Sequence, residues 1–185
     1  MCNVHIIPHL RETALNKHSH RVLRINVGFL LKEGVGYTRE IPFNEPEVQL
    51  AEDLAVHALH GSVTLTRTPQ GLYTQGLLRA TIEANCDRCL EPFEQVVSSR
   101  VSELFYYPPE SAPAGSPIIG DDVHLDLTPL VREDMLLSIP LQKLCRRNCA
   151  GLCPQCGQNW NEGPCDCAEE TGDPRLAILK NLLKE

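Results

Sequence analysis

Residues 72–89 read LYTQGLLRATIEANCDRC, and they carry both the fold and the chemistry of this chain. From Leu72 the pattern has period two. Leu72, Thr74, Gly76, Leu78, Ala80, Ile82, Ala84 and Cys86 share one face, and Gln75, Arg79, Glu83 and Asn85 share the other, with Tyr73 and Leu77 the exceptions there. Successive side chains of a strand point to opposite sides, so this is a strand half buried against a core. It runs directly into Cys86-Asp87-Arg88-Cys89. Extended character resumes over 91–107, where Phe93, Val97, Val101 and Phe105 recur on one face. The C-x2-C pair is therefore expected to cap a hairpin and to present two thiolates from a rigid tip.

Upstream, Thr68-Pro69-Gln70-Gly71 places proline early and glycine late, as a turn requires. Before it, 54–66 alternates imperfectly, with Leu59, Val63 and Leu65 facing inward, and 37–43 reads as a short strand ended by Pro42-Phe43-Asn44. Residues 21–31, RVLRINVGFLL, suit a strand or a short helix. Downstream, 108–122 contains four prolines and two glycines and is expected to be a loop, with a short strand at 123–127. Thr128-Pro129 then announces a helix, with a hydroxyl cap and proline at the first helical position. Leu130, Val131, Met135, Leu136, Leu137 and Ile139 give that helix a broad apolar surface, and Pro140 stops it. Asp173-Pro174 repeats the signal before a short terminal helix over 175–184.

The fold expected is α+β: an antiparallel sheet or partly open β-barrel, one packing helix, and a zinc-stapled C-terminal segment ending in a short helix. Its divisions are an N-terminal extension at 1–20, a β-rich core at 21–140 with the loop 108–122 and the helix 128–140, and a cysteine-rich segment at 141–185.

The staple follows from cysteine spacing. Six of nine cysteines lie in Cys145-x3-Cys149-x3-Cys153-x2-Cys156-x8-Cys165-x-Cys167, and Cys86 and Cys89 make a further pair. A C-x2-C turn points two sulfurs the same way, and two such half-sites close a tetrahedral shell. Cys153, Cys156, Cys165 and Cys167 form the expected first site. Cys86, Cys89, Cys145 and Cys149 remain for a second, which would join two segments about 56 residues apart. Zinc is preferred over the other chemistries of clustered cysteine. Disulfides belong to oxidising compartments, and residues 1–20 lack the apolar stretch of a secretion signal. An iron–sulfur cluster on four thiolates is a further possibility, although a C-x2-C-G turn suits a zinc knuckle better. Cys153-Pro154-Gln155-Cys156 resembles a thioredoxin-type motif but precedes a polar loop instead of a long helix. The polar, cysteine-rich stretch 141–172 buries too little apolar surface to order itself. Structural zinc can supply that order, with apparent affinities of roughly 10–16 kcal/mol in small fingers.

The net charge of −7 is unevenly spread, with 3 basic against 10 acidic residues over 86–140 and balance on either side. Such a chain does not coat nucleic acid, since that affinity comes from Lys and Arg neutralising phosphates. Aromatic content is 5%, too low to advertise a base-stacking platform. Any RNA or partner contact is expected to be local, at Arg88, Lys143, Arg146 and Arg147 beside the cysteines. No apolar run approaches the roughly 18 residues of a membrane span. His18, His20, His57 and His60 are read as ordinary exposed or hydrogen-bonded histidines. Asp121, Asp122, Asp126, Glu133 and Asp134 are read as loop and helix-start acids, and Trp160 as packing over the metal site.

The motifs taken together resemble a known family. Cys86-Asp-Arg-Cys-Leu-Glu-Pro-Phe93, Arg132-Glu-Asp-Met-Leu-Leu-Ser-Ile-Pro140, Cys149-Ala-Gly-Leu-Cys-Pro-Gln-Cys-Gly157, Asn161-Glu-Gly-Pro-Cys-Asp-Cys167 and Asp173-Pro-Arg-Leu176 occur in the order and spacing of the YceD family, the large ribosomal RNA subunit accumulation proteins. The resemblance covers roughly residues 21–184. It implies a bacterial-type cytoplasmic protein needed for normal levels of large-subunit ribosomal RNA; no enzymatic activity is established for the family, so the chain is read as a non-enzymatic factor in ribosome synthesis, processing or stability. Its partner would be that RNA or its precursor particle, directly or through a ribosomal protein. A zinc-containing protein-interaction adaptor and a thiol oxidoreductase are the alternatives.

Overall fold

The computed structural model describes residues 22–167, so the extension at 1–20 and the terminal helix expected at 175–184 lie outside the described residues. The chain divides into two compact units. Among the described residues the first comprises 22–83 with 94–141, and the second 84–93 with 142–167.

Six strands and one α-helix are present among the described residues: β1 (Arg24–Asn26), β2 (Thr38–Ala51), β3 (Leu54–Thr68), β4 (Gly71–Asn85), β5 (Pro92–Tyr106), β6 (His124–Asp126) and α1 (Thr128–Ser138). The strands β2-β3-β4-β5 form a four-stranded meander in sequence order, and β1 pairs with β6 in a separate antiparallel ribbon. Among the described residues the sheets are antiparallel and do not close into a barrel. The alternation from Leu72 sets the burial of β4: Leu72, Thr74, Leu78, Ala80 and Ile82 are buried, while Gln75, Arg79 and Glu83 are exposed. Leu59, Val63 and Leu65 of β3 have no exposed surface and meet them in one core with Val97, Val101 and Phe105 of β5.

The strand expected to end at Pro42-Phe43-Asn44 instead continues to Ala51, with Pro42 opposite Ser62 and Val48 opposite Val56. The reason is position. Among the described residues β2 is an edge strand, and an edge is where proline's missing donor costs no ladder bond. Two glycines allow the close approach of neighbouring strands. A Cβ at Gly61, whose φ is +140°, would lie 2.1 Å from the Leu77 carbonyl oxygen, and one at Gly71, φ +155°, would lie 2.0 Å from that of Phe105. Ala58, at φ 51°, sits where the β3–β4 register shifts between His57 and His60, as a bulge requires.

Stretch 21–31, expected to be a strand or a short helix, contains β1, and a single 3-10 turn at Leu30–Lys32 follows, running one residue past the stretch. The helix differs in its cap. Asp126 Oδ1 accepts from the Thr128 N–H at 2.9 Å, so the capping oxygen comes from Asp126 and not from the threonine hydroxyl. Helix α1 ends at Ser138, and Ile139 is extended before Pro140, as a residue preceding proline prefers. Val131 and Met135, one turn apart, are fully buried, whereas Leu137 is 85% exposed and does not join the apolar face. Polar bonds lock the helix in place. Ser99 Oγ donates to Asp134 Oδ2 at 2.8 Å, Ser138 Oγ accepts from the Ser98 N–H at 3.0 Å, and Arg132 grips Asp53 through two guanidinium nitrogens. Asp122 pairs with Arg24. Asp122, Asp126 and Asp134 are thus each engaged in a bond that holds the fold. No helix among the described residues is long and apolar enough to cross a membrane.

Candidate metal centres

The second unit is built around eight cysteines, and its backbone forms the same turn twice. In Cys86-Asp-Arg-Cys89-Leu90 the N–H of Leu90 donates to the Cys86 carbonyl at 2.9 Å, and the N–H of Cys86 donates to the Glu91 carbonyl at 2.9 Å. In Cys153-Pro-Gln-Cys156-Gly157 the N–H of Gly157 donates to the Cys153 carbonyl at 2.9 Å, and the N–H of Cys153 to the Gln158 carbonyl at 2.8 Å. Both turns close on a residue in the left-handed region, Leu90 at φ 61° and Gly157 at φ 77°. Such a turn bends the chain so that both sulfurs leave on one side.

The structure brings the eight sulfurs into two groups, Cys86/Cys89/Cys145/Cys149 and Cys153/Cys156/Cys165/Cys167, and within each group all four lie within 4.8 Å of one another. In the first, Cys86 and Cys149 Sγ are 3.8 Å apart, and Cys89 and Cys145 Sγ are 3.7 Å apart. Sulfurs bound to one ion at 2.3 Å in a tetrahedron lie roughly 3.8 Å apart, while a disulfide needs about 2.05 Å. All eight are free thiols. The donor set and its spacing fit a single tetrahedral ion in each group.

Residues between the ligands assemble the first group. Asp87 lies inside the knuckle, and its N–H donates to the Lys143 carbonyl at 2.8 Å while its Oδ2 accepts from the Lys143 N–H at 2.6 Å. Arg88 Nη1 donates to the Cys149 carbonyl at 3.0 Å. Gly151, at φ 82°, lets the chain pass the Arg88 carbonyl, where a Cβ would stand 3.2 Å away. Cys86, Cys89 and Cys149 are buried together, with Phe93, Leu144 and Leu152 packed against them. The second group is more open: Cys153 is buried, Cys156 exposed, and Cys165 and Cys167 half-buried.

Electrostatics explain why each group calls for a cation. Burial disfavours a charged Cys86, yet the backbone amides of Cys145, Cys89 and Arg88 bring it down to about 6. Cys145 is pushed up to about 12 by burial and by the sulfurs of Cys89, Cys86 and Cys149. In the second group the Trp160 indole, followed by the Cys167 amide, brings Cys165 down to about 6. Cys167 is pushed up to about 12, first by the Cys156 sulfur and then by burial. Four thiolates cannot share so small a space unaided, and a central divalent ion removes the conflict.

Of the basic residues singled out, Arg88 braces Cys149, and Arg146 donates to Asn161 Oδ1 at 2.5 Å. Among the described residues, the side chains of Lys143 and Arg147 have no hydrogen-bond or ion-pair partner. His60 Nδ1 lies 2.7 Å from the Ala58 carbonyl oxygen, and no described histidine joins a cysteine group. Trp160 Nε1 donates to Cys165 Sγ at 3.4 Å. Sequence reasoning missed Asp87 and Asn161, whose partners are fixed only once the segments meet. The one signal was their position, within the knuckle and within the cysteine loop.

An antiparallel meander with a packing helix, joined to a unit of paired four-cysteine knuckles, defines an α+β protein with two candidate structural metal centres. The model of the family described as Large ribosomal RNA subunit accumulation protein YceD matches residues 74–183, and the chain belongs to that family. It is similar to an uncharacterised protein of Mycobacterium tuberculosis, at 32% identity over 62% of this chain and 56% of that protein. A second relative is the uncharacterised YlbN of Bacillus subtilis, at 33% identity over 54% of this chain and 59% of the relative. A third is the Large ribosomal RNA subunit accumulation protein YCED homolog 1, chloroplastic, of Arabidopsis thaliana, at 25% identity over 67% of this chain and 48% of the relative. The chain spans about half the length of the curated relatives it matches. No solved structure matches it.

Proposed function

We propose that this chain is a non-enzymatic factor supporting the accumulation of large-subunit ribosomal RNA, with its second unit held in shape by two structural zinc ions. The observation that carries this reading is the family match over 74–183, which runs through all eight clustered cysteines. Zinc is the metal of choice for a shell of four thiolates at tetrahedral spacing, and such a closed shell leaves no position for a substrate. Cys86, Cys89, Cys145 and Cys149 would hold one ion, and Cys153, Cys156, Cys165 and Cys167 the other. The ions would supply order, and the chain's own residues would do the binding. Cys153 and Cys156 lie among Cys165 and Cys167, the setting of an ion ligand and not of an attacking thiolate. The cytoplasm is the compartment proposed for it, since a reducing environment keeps thiolates available to a metal.

The partner is the large-subunit RNA or its precursor particle, contacted through Lys143 and Arg147, the two cations of the basic group whose side chains have no partner among the described residues. The test is the double variant Lys143→Gln/Arg147→Gln, followed by co-sedimentation with precursor particles across a salt series. Zinc content and melting temperature should stay unchanged, since exposed charges contribute little to stability. Association should weaken, with a shallower salt dependence because fewer phosphates are neutralised. Unchanged association at every salt concentration would point instead to a protein-interaction adaptor that makes no RNA contact.

A further inference from the structure

We propose that the adjacent residues Trp160 and Asn161 couple the two cysteine groups, so that loading either one raises the affinity of the other. This deepens the reading of both groups as zinc sites and rests on it. The geometry is specific. Asn161 Nδ2 donates to Cys149 Sγ of the first group at 3.3 Å. Its neighbour Trp160 donates through Nε1 to Cys165 Sγ of the second group at 3.4 Å. One dipeptide thus holds a sulfur of each shell.

The dipeptide is in turn pinned to the strip of chain that supplies a ligand to both. The Trp160 N–H donates to the Gly151 carbonyl at 2.9 Å, and Asn161 Oδ1 accepts from the Ala150 N–H at 3.0 Å. Leu152 and Asn159 form an antiparallel bridge, next to the bond from the Cys153 N–H to the Gln158 carbonyl. Residues 149–153, which carry Cys149 and Cys153, therefore lie against 158–161 as a short two-stranded clasp. Asn159 Oδ1 accepts from both the N–H and Nδ2 of Asn161, which fixes the amide's direction. Ordering either shell fixes the clasp. The other shell then closes on chain that has already lost its conformational freedom, and so closes at lower cost. The coupling is reciprocal by thermodynamic necessity.

The test is a double-mutant cycle in the full chain, reading zinc affinity at the first group by chelator competition with native mass spectrometry. Cys167→Ser disables the second group without touching a ligand of the first. It should weaken zinc binding at the first group by about tenfold, a usual size for coupling between sites. In an Asn161→Ala background the same substitution should cost less than about twofold, because the donor to Cys149 is gone. Trp160→Phe keeps the ring and removes only the N–H donor. It decides the matter should the alanine variant hold no ion at the first group, and in that background the Cys167→Ser effect should shrink to about threefold or less. A first group indifferent to Cys167→Ser overturns the coupling and leaves the zinc reading standing. An undiminished tenfold effect in both backgrounds overturns the assignment to Trp160 and Asn161. A wild-type chain that takes up no zinc brings down the coupling and the zinc reading together, a result distinguishable from the other two.

Discussion

The two cysteine groups share one knuckle turn and differ in almost everything else. The first draws Cys86 and Cys89 from the β4–β5 connection and Cys145 and Cys149 from chain 56 and more residues later. The second takes all four sulfurs from residues 153–167. Three of the first group's sulfurs are buried against Phe93, Leu144 and Leu152, while only one of the second group's is buried. A site that closes a long loop removes more chain entropy than one that closes a short loop, though the dependence is only logarithmic. The larger difference is that the first group is the centre of its unit's small core. It therefore holds two segments of the second unit together, whereas the second group organises one local loop.

Removing one ligand from each group should separate their roles most clearly. Cys89→Ser should lower zinc content by about one equivalent per chain and expose 142–167 to protease, since a three-sulfur remnant no longer closes the shell. Cys165→Ser should also cost about one equivalent. It should leave the Asp87–Lys143 bonds and hydrogen-exchange protection of 84–93 intact. Equal protease sensitivity in the two variants would erase the distinction. Chelator kinetics should show a smaller version of the same contrast. Extraction of zinc from the full chain should be biphasic, with the exposed second group emptying first. Both phases should accelerate as pH falls, because protons compete for thiolates that the metal requires. A single phase, or loss from the buried group first, would contradict the burial argument.

Much of the first unit was legible because strand burial is a period-two signal carried by the residues themselves. The alternation from Leu72 to Cys86 needs no knowledge of what packs against it. The run of β2 past Pro42 is not legible locally, because proline is excluded from a central strand and tolerated at an edge, and strand order is a property of the whole sheet. The exposure of Leu137 is likewise not legible locally, because an apolar residue at a helix end joins the buried face only if the angle brings it round. In the candidate site, C-x2-C spacing is local chemistry and marks the sulfurs. Asp87, Arg88 and Asn161 assemble the half-sites through bonds to chain 11 to 61 residues away, and no local pattern encodes those partners.

The smallest expected effect belongs to the first unit and serves as the control for the comparison. Asp53 is held below its ordinary value, chiefly by the hydrogen bond from Arg132. A carboxylate whose folded pKa is depressed contributes stability above its unfolded pKa of about 4, and loses that contribution as pH falls through the lower folded value. Arg132→Gln should therefore make urea stability less dependent on pH below about 4 and alter it only slightly at neutral pH. Zinc content should be unchanged. A loss of zinc in this variant would show that the two units do not respond separately.

The zinc reading turns on whether eight thiolates close two tetrahedral shells. Zinc-edge X-ray absorption on the full chain, purified anaerobically without chelators and paired with elemental analysis, tests it most directly. Two zinc ions per chain are expected, with an average shell of four sulfurs at about 2.3 Å and no nitrogen or oxygen contribution. Less than about one ion per chain, or a shell containing nitrogen or oxygen at roughly 2.0–2.1 Å, would contradict it.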